Sequence, residues 1–351
     1  ILRLGRHEKG RGSVMTKVIK IEDCVEFSDL RLTGIRIGES LHLGHYAGNI
    51  WPILCDTRAK RKVLIIADVM TRFSGRKDAV NWRKIDSLLL QLYALGVHEK
   101  GVLLCLESKF LEAINQFVSF CFSYAPVAKL MDVRPLKSAL ALDRGGMVLG
   151  QLIFPVYQAI ECAALSCSGL YSNVDNISII DYVNSVIKRL NMAGMGLPEV
   201  TLITGRVSYL RGIDGRKMSV DNRNAIYLND SECIIRKKVK KIRTDRLRVN
   251  LPDSSAADHA VLYDILRVID VGRYDFNQLE LDYNERKITS MNIKDMVSES
   301  IMTLIAGASL NERHDRQSLA LELRRRLMKD TDMVCELAMD YTGKVKICNL
   351  M

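Results

Sequence analysis

Residues 41–46 (LHLGHY) carry two of the chain's six histidines, His42 and His45, with Gly44 between them. The segment follows an apolar run and opens a stretch with helical periodicity. A helix N-terminus offers free backbone N–H groups and positive potential to an anion, and a glycine there lets a base or phosphate approach the backbone closely. The pattern predicts a phosphate-binding turn, although two surface histidines at a helix start explain these residues equally well when they are taken alone.

A second segment that could do chemistry, residues 215–221 (GRKMSVD), lies much later in the chain. Lys217 is its central cation, and Met218 and Ser219 follow. A glycine-flanked basic loop is able to close a cation over a phosphate chain. In isolation, a surface lysine in a loop explains the segment as well.

Short apolar runs alternate with helical patterns, which predicts elements of an α/β domain. The run KVLIIA at 62–67 is typical of a buried parallel strand, and VLLCL at 102–106 follows an intervening helix, so the two strands pair in parallel. The predicted strands are 31–36, 62–67, 102–106 and 200–203. The predicted helices are 43–60 with Pro52 at a kink or boundary, 78–95, 112–122, 156–165, 177–190, 231–247, 257–270, 293–306 and 312–339.

Strands nearly vanish from the pattern beyond about residue 230, which divides the chain in two. We predict a parallel-sheet α/β domain at 15–230 and an all-helical domain at 231–351. Residues 1–14 lack the apolar core and cleavage site of a secretory signal. We interpret them as a basic leader that is disordered or not native.

The composition is that of an ordinary globular protein, with 48% apolar and 26% charged residues in a chain of 351. It excludes a disordered or collagen-like chain, and no apolar run approaches the about 18–20 residues that span a bilayer. The nine cysteines form no CxxC pair, so neither a zinc ribbon nor an iron–sulfur site is indicated. We interpret them as reduced thiols of a cytoplasmic protein.

The formal net charge of +10 is concentrated in two segments. Residues 1–14 hold four Arg or Lys and one Glu, and residues 236–248 hold eight Arg or Lys and one Asp, so the rest of the chain is neutral. A dense basic segment suits a polyanionic partner. The alternative for such a charge run is a solvated helix face.

Taken together, the two motif segments, the α/β region between them and the helices after them resemble the class I aminoacyl-tRNA synthetases. Residues 33–50 (TGIRIGESLHLGHYAGNI) are similar to the opening of the tryptophanyl-tRNA synthetases. Four further segments also resemble this family. They are residues 66–68 (IAD), 154–159 (FPVYQA), 214–245, which contain the segment around Lys217 and the start of the basic segment, and 283–316. The resemblance covers nearly everything from about residue 25.

The resemblance implies a Rossmann-type domain followed by a helical tRNA-binding domain, usually in a homodimer. It implies activation of tryptophan by ATP, with Mg²⁺ bound transiently with the nucleotide and no separate metal site, and then transfer to tRNA. The implied catalytic residues are His42, His45 and Lys217. The implied ATP-binding residues are Arg36, His42, Gly44, His45, Asp175, Lys217, Met218 and Ser219. The implied amino-acid-binding residues are Asp68, Gln158 and Glu161. The implied tRNA-binding residues are Arg236, Lys237, Lys240, Lys241 and Arg243.

Four departures from the family pattern fall on ligand-contacting positions. Glu39 brings a carboxylate near the expected triphosphate, which it should repel. Glu161 replaces the aspartate that reads the indole N–H and adds a methylene, which would retune the pocket. The family's gly-glu-asp-gln is 173–176 (NVDN) here. Val220 replaces the second lysine of the KMSKS loop, and one lost charge-assisted contact costs about 1.5–3 kcal/mol.

Three hypotheses therefore stay open. The first is a divergent tryptophan–tRNA ligase with reduced or altered activity. The second is a paralogue that has lost ligation and binds tRNA, nucleotide or an indole compound as a regulator, which the changes around Glu39, Val220 and 173–174 motivate. The third is a synthetase-like enzyme that activates another amino acid, which Glu161 motivates.

Overall fold

The structure is a computed structural model. It describes residues 16–24, 30–38, 40–73, 80–142, 147–220, 222–244, 260–270, 272–307 and 316–344. The predicted leader at 1–14, Glu39 and Asp221 lie outside the described residues. So does the part of the basic segment beyond residue 244.

The strands of the described residues form one six-stranded parallel sheet. They are β1 (Val18–Lys20), β2 (Leu30–Arg36), β3 (Arg61–Ala67), β4 (Val102–Leu106), β5 (Gly169–Tyr171) and β6 (Thr201–Thr204). Their order across the sheet is β1-β6-β5-β2-β3-β4. The chain runs outward from β2 to β4 and then crosses back to β5 beside β2. Ligands of open parallel sheets bind where the order reverses in this way, beyond the carboxyl ends of the strands.

The four predicted strands are confirmed as β2, β3, β4 and β6, with ends that differ by at most one residue. β1 and β5 were not predicted. Each has three residues, which is too short for the alternation of apolar and polar positions that marks a strand in sequence.

The helices of the described residues surround this sheet and fill the later part of the chain. They are α1 (Leu43–His45), α2 (Trp51–Cys55), α3 (Asp68–Phe73), α4 (Trp82–Ala94), α5 (Glu107–Ala113), α6 (Asn115–Phe122), α7 (Val127–Leu130), α8 (Arg134–Leu142), α9 (Leu149–Ala164), α10 (Ile177–Met192), α11 (Glu232–Lys241), α12 (Ala260–Ile269), α13 (Phe276–Asn284), α14 (Ser290–Gly307) and α15 (Arg316–Lys344).

Several predicted helices are wrong in extent. The helix predicted at 43–60 divides into α1, a π-helical turn at Tyr46–Ile50, and α2, with Pro52 in the first turn of α2 where its missing N–H breaks no intrahelical bond. The helix predicted at 112–122 spans the end of α5 and all of α6, and that predicted at 156–165 is the second half of the longer α9, which begins at Leu149. The short helices α3, α7, α8 and α13 were not predicted.

Alternate residues of β3 point into two cores, one on each face of the sheet. Leu64 and Ile66 lie in the first core, and Val63 and Ile65 lie in the second. A strand buried on both faces has a continuous apolar sequence, which is why this strand was visible in the sequence. The first core continues into the later helices, whereas the second holds the buried sides of α9 and α10.

A buried ion pair ties β2 to the residue that follows α2. The guanidinium of Arg31, which is 1% exposed, pairs with the carboxylate of Asp56. Asp56 also accepts hydrogen bonds from the Tyr171 hydroxyl at 2.6 Å and the Arg58 N–H at 2.8 Å. Burial opposes the charge of Asp56, but these hydrogen bonds and the charge of Arg31 hold its pKa below the ordinary value.

The last described helix, α15, returns to the sheet and covers the edge strand β4. The Leu104 N–H donates to Asp330 Oδ2 at 3.2 Å, and the Leu106 N–H donates to Thr331 Oγ1 at 3.0 Å. These side chains satisfy backbone donors that an edge strand otherwise leaves unpaired. The predicted division of the chain at residue 230 stays a prediction.

Among the described residues, no helix combines the length and the apolar character needed to cross a bilayer.

Candidate active site

The two motif segments meet at the carboxyl end of β2. The backbone around His42 pairs with the backbone around Tyr227 in an antiparallel bridge. The Leu43 N–H donates to the Ile226 carbonyl at 3.0 Å, and the Leu228 N–H donates to the Leu41 carbonyl at 2.9 Å. Residues 41–46, the histidine turn, are therefore fixed to the strand-like segment that follows residues 215–221, the lysine loop.

Gly44 lies at the contact between the motifs. A Cβ at this position would lie 2.9 Å from the His42 ring and 3.5 Å from Met218 Cβ, so only glycine fits without a shift of its neighbours. Met218 is 2% exposed and belongs to the first core. Burial of this side chain holds the lysine loop down over the histidine turn.

His42 and His45 are stacked, with ring centroids 3.7 Å apart. The His42 Nδ1 accepts the His45 N–H at 3.3 Å, and the His45 Nδ1 accepts the His42 N–H at 3.4 Å. Because both Nδ1 atoms are acceptors, each neutral ring carries its proton on Nε2. The turn therefore presents two Nε2–H donors.

Both histidines are neutral at physiological pH. Burial, with a smaller effect of the Lys217 charge, lowers the pKa of His42 to about 4. Burial also lowers the pKa of His45 well below its ordinary value, aided by His42, Arg36 and Lys217. The positive charge of this region therefore comes from Arg36, the last residue of β2, and Lys217.

Lys217 pairs with Asp175 across the site. Asp175 follows β5, and the histidine turn follows β2, so the pair spans the point where the strand order reverses. Both side chains are partly exposed, at 44% and 37%, and a phosphate chain can therefore compete for the lysine. The structure thus brings together the predicted residues Arg36, His42, Gly44, His45, Asp175, Lys217 and Met218.

The lysine loop is organised by Asn224, a residue that sequence reasoning did not select. Its amide donates to Asp214 Oδ1 at 2.6 Å and to the Lys217 carbonyl at 3.0 Å, and its Oδ1 accepts the Ser219 N–H at 2.9 Å. Gly215 makes the turn at a φ of 82°, in the left-handed region. The available signal in the sequence was the resemblance of residues 214–245, which include Asn224, to the family.

The predicted amino-acid-binding residues lie after β3 and on α9. Asp68 directly follows β3 and accepts the Ser108 N–H at 2.8 Å. Glu161 is buried on α9, and Gln158 lies one turn before it, half-buried. The structure adds Glu107, which directly follows β4 and is fully buried. A carboxylate directly after a buried strand was the available signal for Glu107.

The two glutamates strongly affect each other. Burial raises the pKa of Glu161 well above its ordinary value, and the charge of Glu107 adds to this effect. Burial raises the pKa of Glu107 to about 7, although the Met70 N–H, which donates to its Oε2 at 2.9 Å, favours the anion. The two raised pKa values, of which that of Glu161 is the more strongly affected by burial, indicate a carboxyl pair that retains a proton near neutral pH.

Two of the departures from the family pattern have structural consequences. Asn173 fills the space against Gly48, where a Cβ would collide with its amide. Its Oδ1 is buried without a hydrogen-bond partner among the described residues. Val220, within the lysine loop, is 40% exposed. A nucleotide would therefore meet an amide and an apolar side chain at positions where the family offers other contacts.

The described part of the basic segment forms α11 and the residues after it. Ile235 and Val239 are buried, whereas most of the cations point outward. The exposed cations among the predicted tRNA-binding residues are Lys237, Lys240, Lys241 and Arg243. Arg236 is paired with Glu232 at 2.8 Å.

Comparisons with known sequences assign the chain to a narrow group. The family described as tRNA synthetases class I (W and Y) matches residues 32–306. The chain is 26% identical over 329 residues to the tryptophan–tRNA ligase of Chlamydia caviae, which covers 90% of this chain and 93% of that protein. It is 31% identical over 232 residues to the tryptophan–tRNA ligase of Treponema pallidum, which covers 63% of this chain and 68% of that protein.

Solved structures give the same fold. The tryptophanyl-tRNA synthetase of Campylobacter jejuni, complexed with ADP and tryptophan, has a TM-score of 0.70 at 18% identity and covers 92% of this chain and 100% of that chain. The tyrosyl-tRNA synthetase of Archaeoglobus fulgidus, complexed with L-tyrosine, has a TM-score of 0.65 at 17% identity and covers 85% of this chain and 90% of that chain. The predicted Rossmann-type sheet followed by helices is confirmed.

Proposed function

We propose, because this chain belongs to the class I tRNA synthetases of the W and Y group, that it is a tryptophan–tRNA ligase. The observation that carries the proposal is the contact between Gly44 and Met218, which joins the histidine turn to the lysine loop. This contact gathers two Nε2–H donors, Lys217 and Arg36 at the point of strand reversal.

The arrangement suits adenylate formation. An oxygen of the tryptophan carboxylate attacks the α-phosphorus of ATP, the bond from that phosphorus to the bridging oxygen breaks, and pyrophosphate leaves. A terminal tRNA hydroxyl then attacks the acyl carbon, and AMP leaves. The protein's part is positioning and stabilisation of charge on the phosphate oxygens. Neutral His42 and His45 donate to these oxygens, and Lys217 exchanges Asp175 for the pyrophosphate.

Mg²⁺ would be held mainly by phosphate oxygens of ATP. This ion keeps several waters and commonly binds through one or two carboxylates together with substrate phosphates. The described residues contain no group of three or more His, Cys, Asp or Glu side chains suited to a metal. They do include Asp175, whose Oδ1 is buried without a partner. The ion would supply charge neutralisation at the phosphates.

The test is ATP–pyrophosphate exchange with each of the standard amino acids in turn. We expect exchange with tryptophan above all others. Exchange with a different amino acid alone would favour the second candidate, a synthetase for another amino acid, for which the Glu107–Glu161 pair is the motivating observation. No exchange with any amino acid at high protein concentration would contradict both and favour a binding paralogue.

We further propose that α11 binds the tRNA backbone, supported by its outward cations. Replacing Lys237, Lys240 and Lys241 together by alanine is expected to weaken tRNA binding. The slope of the logarithm of the binding constant against the logarithm of the salt concentration should become less negative by about 2 to 3, since each phosphate contact releases counterions. ATP–pyrophosphate exchange with tryptophan, which needs no tRNA, should be unchanged.

The matched control carries alanine at three exposed lysines outside α11, namely Lys17, Lys109 and Lys188. It should bind tRNA as the parent protein does. An equal loss of affinity in both variants would mean that only overall charge matters and would remove α11 as the contact surface.

A homodimer is supported by an apolar surface on packed helices α6, α7 and α9. Its exposed side chains are Phe122, Val127, Met131, Val148 and Leu149. Sedimentation of the full chain at micromolar concentration should give a dimer, and a monomer would contradict the proposal.

A cytoplasmic location is supported by the eight described cysteines, which are all unpaired thiols. A catalytic domain at 15–230 and a tRNA-binding domain at 231–351 remain part of this proposal.

A further inference from the structure

Two glutamates from different elements meet at the end of the sheet where the amino-acid side chain is expected. Glu107 begins α5 and is 0% exposed, and Glu161 lies on α9 and is 7% exposed. Glu107 Oε2 accepts the Met70 N–H at 2.9 Å. Glu107 Oε1 is buried and finds no donor in the described part of the chain. The neighbouring group that is able to satisfy it is the carboxyl of Glu161, once that carboxyl carries a proton.

The surroundings of the pair do not stabilise a second negative charge. The ionisable groups that act on the pair, or that feel its charge, come from α3, β4, α9 and the residues after α9. They are Asp68 on α3, Cys105 on β4, Tyr157 and Cys162 on α9, and Cys167 after α9. Each of these groups is either neutral or negative, so an added charge on the pair meets only burial and repulsion.

We propose that Glu107 and Glu161 hold one proton between them and form the hydrogen-bonding end of the side-chain pocket, with Glu107 as the residue that orients Glu161 toward a ring N–H of the substrate. The proposal rests on the proposed function, since tryptophan is the N–H donor. Glu107 is a positioning residue, because it acts through Glu161.

The local hydrogen bonds decide where the proton lies. The Met70 N–H stabilises the anion of Glu107, so the proton belongs to Glu161. The Glu161 hydroxyl then donates to Glu107 Oε1, and the other Glu161 oxygen is left as an acceptor. One turn earlier on α9, Tyr157 packs against Phe73 at 5.6 Å between ring centroids and against Phe122 at 6.0 Å. An aromatic wall next to a single acceptor suits an aromatic ring that carries one N–H.

This arrangement gives tryptophan binding a definite pH dependence. Burial raises the pKa of Glu107 to about 7, so below that pH the pair takes up a second proton and the acceptor on Glu161 weakens. Affinity for an N–H donor is expected to tighten about fivefold as the pH rises from about 6 to about 8. His42 and His45 do not contribute in this range, since the pKa of each is lowered far below it.

The decisive variant is Glu161→Gln, studied by calorimetry with tryptophan and the full chain. A glutamine reproduces the protonated acid, because its NH₂ donates to Glu107 and its oxygen accepts the ring N–H. Affinity at about pH 8 is therefore expected to stay within about threefold of the parent. A loss of tenfold or more would mean that Glu161 binds as a free carboxylate, and it would overturn the shared proton.

Glu107→Gln should abolish the pH step, because the group that titrates near neutrality is removed. Glu112→Gln is the matched control, since it makes the same change on the exposed side of α5 and should keep the step. The tryptophan analogue with benzothiophene in place of indole has no N–H and should show no step with the parent protein. A step that persists in Glu107→Gln, or that the analogue also shows, would contradict the proposal.

A titration without ligand separates this proposal from the proposed function. In ¹³C spectra of the parent protein, one glutamate carboxyl is expected to titrate near neutral pH, and this signal should be lost in Glu107→Gln. Absence of tryptophan binding at every pH would end the proposed function, yet this titration would still decide the carboxyl pair. If every glutamate titrates near about pH 4 to 5, the shared proton is overturned.

Discussion

Replacing Lys217 by alanine is expected to slow tryptophan-dependent ATP–pyrophosphate exchange by about 100- to 1,000-fold. This is the range for loss of one preorganised donor to an oxygen that gains charge in the transition state. Lys217 lies in the loop that Met218 and Asn224 hold in place. The KM for tryptophan should change little, because the lysine acts on the phosphates.

The matched control is Lys137→Ala. Lys137 pairs with Asp132 at 2.9 Å on the surface, as Lys217 pairs with Asp175, but far from the motifs in sequence. Its exchange rate should equal that of the parent. If the two variants have the same rate, Lys217 does not contact the leaving pyrophosphate, and the placement of the phosphate site is wrong.

Replacing Arg31 by methionine is expected to lower the free energy of unfolding by about 3–5 kcal/mol, the usual result of leaving one member of a buried ion pair without its partner. Asp56 would remain buried with its charge, still bonded to Tyr171 and the Arg58 N–H. Urea denaturation followed by circular dichroism measures the change. Adding Asp56→Asn should recover part of the loss, because it removes the unpaired charge.

The stability that the Arg31–Asp56 pair contributes depends on pH, and the lowered pKa of Asp56 determines the direction of that dependence. The pKa of Asp56 is lowered in the folded state, so its stabilising contribution is present above about pH 4 and is lost as the pH falls through the lowered value. Lys137→Met, at an exposed pair, should leave unfolding unchanged. A loss for Arg31→Met no greater than for this control would show that the Arg31–Asp56 pair contributes no net stability.

The parts of the fold that the sequence predicted are those with a strong local pattern. β3 is buried on both faces, so its apolar run marked it clearly. β5 is Gly-Leu-Tyr, three residues that show no period, and its position beside β2 is fixed by long-range pairing. The helix predicted at 43–60 was too long because helical periodicity does not distinguish an α-helical turn from the π-helical turn at Tyr46–Ile50.

The residues of the candidate site also divide into those that the sequence predicted and those that it did not. The meeting of His45 with Lys217 was expected from the family resemblance, since sequence periodicity says nothing about loops far apart in the chain. Glu107 was missed, although it stands directly after a buried strand as Asp68 does. Its importance depends on α9, which brings Glu161 against it. Such a partnership exists only after the chain has folded.

Because α15 covers the edge strand β4, the edge of the sheet is closed only after a long stretch of chain has been synthesised. Leu106 and its partner Thr331 are separated by 225 positions. At about 5–20 residues per second, a ribosome needs about 10 to 45 s to make the intervening chain. Throughout that interval the nascent sheet carries an open edge, the feature most prone to pair with another chain. Synthesis of α15 thus closes the sheet, and a polypeptide cut short of α15 would be prone to aggregation.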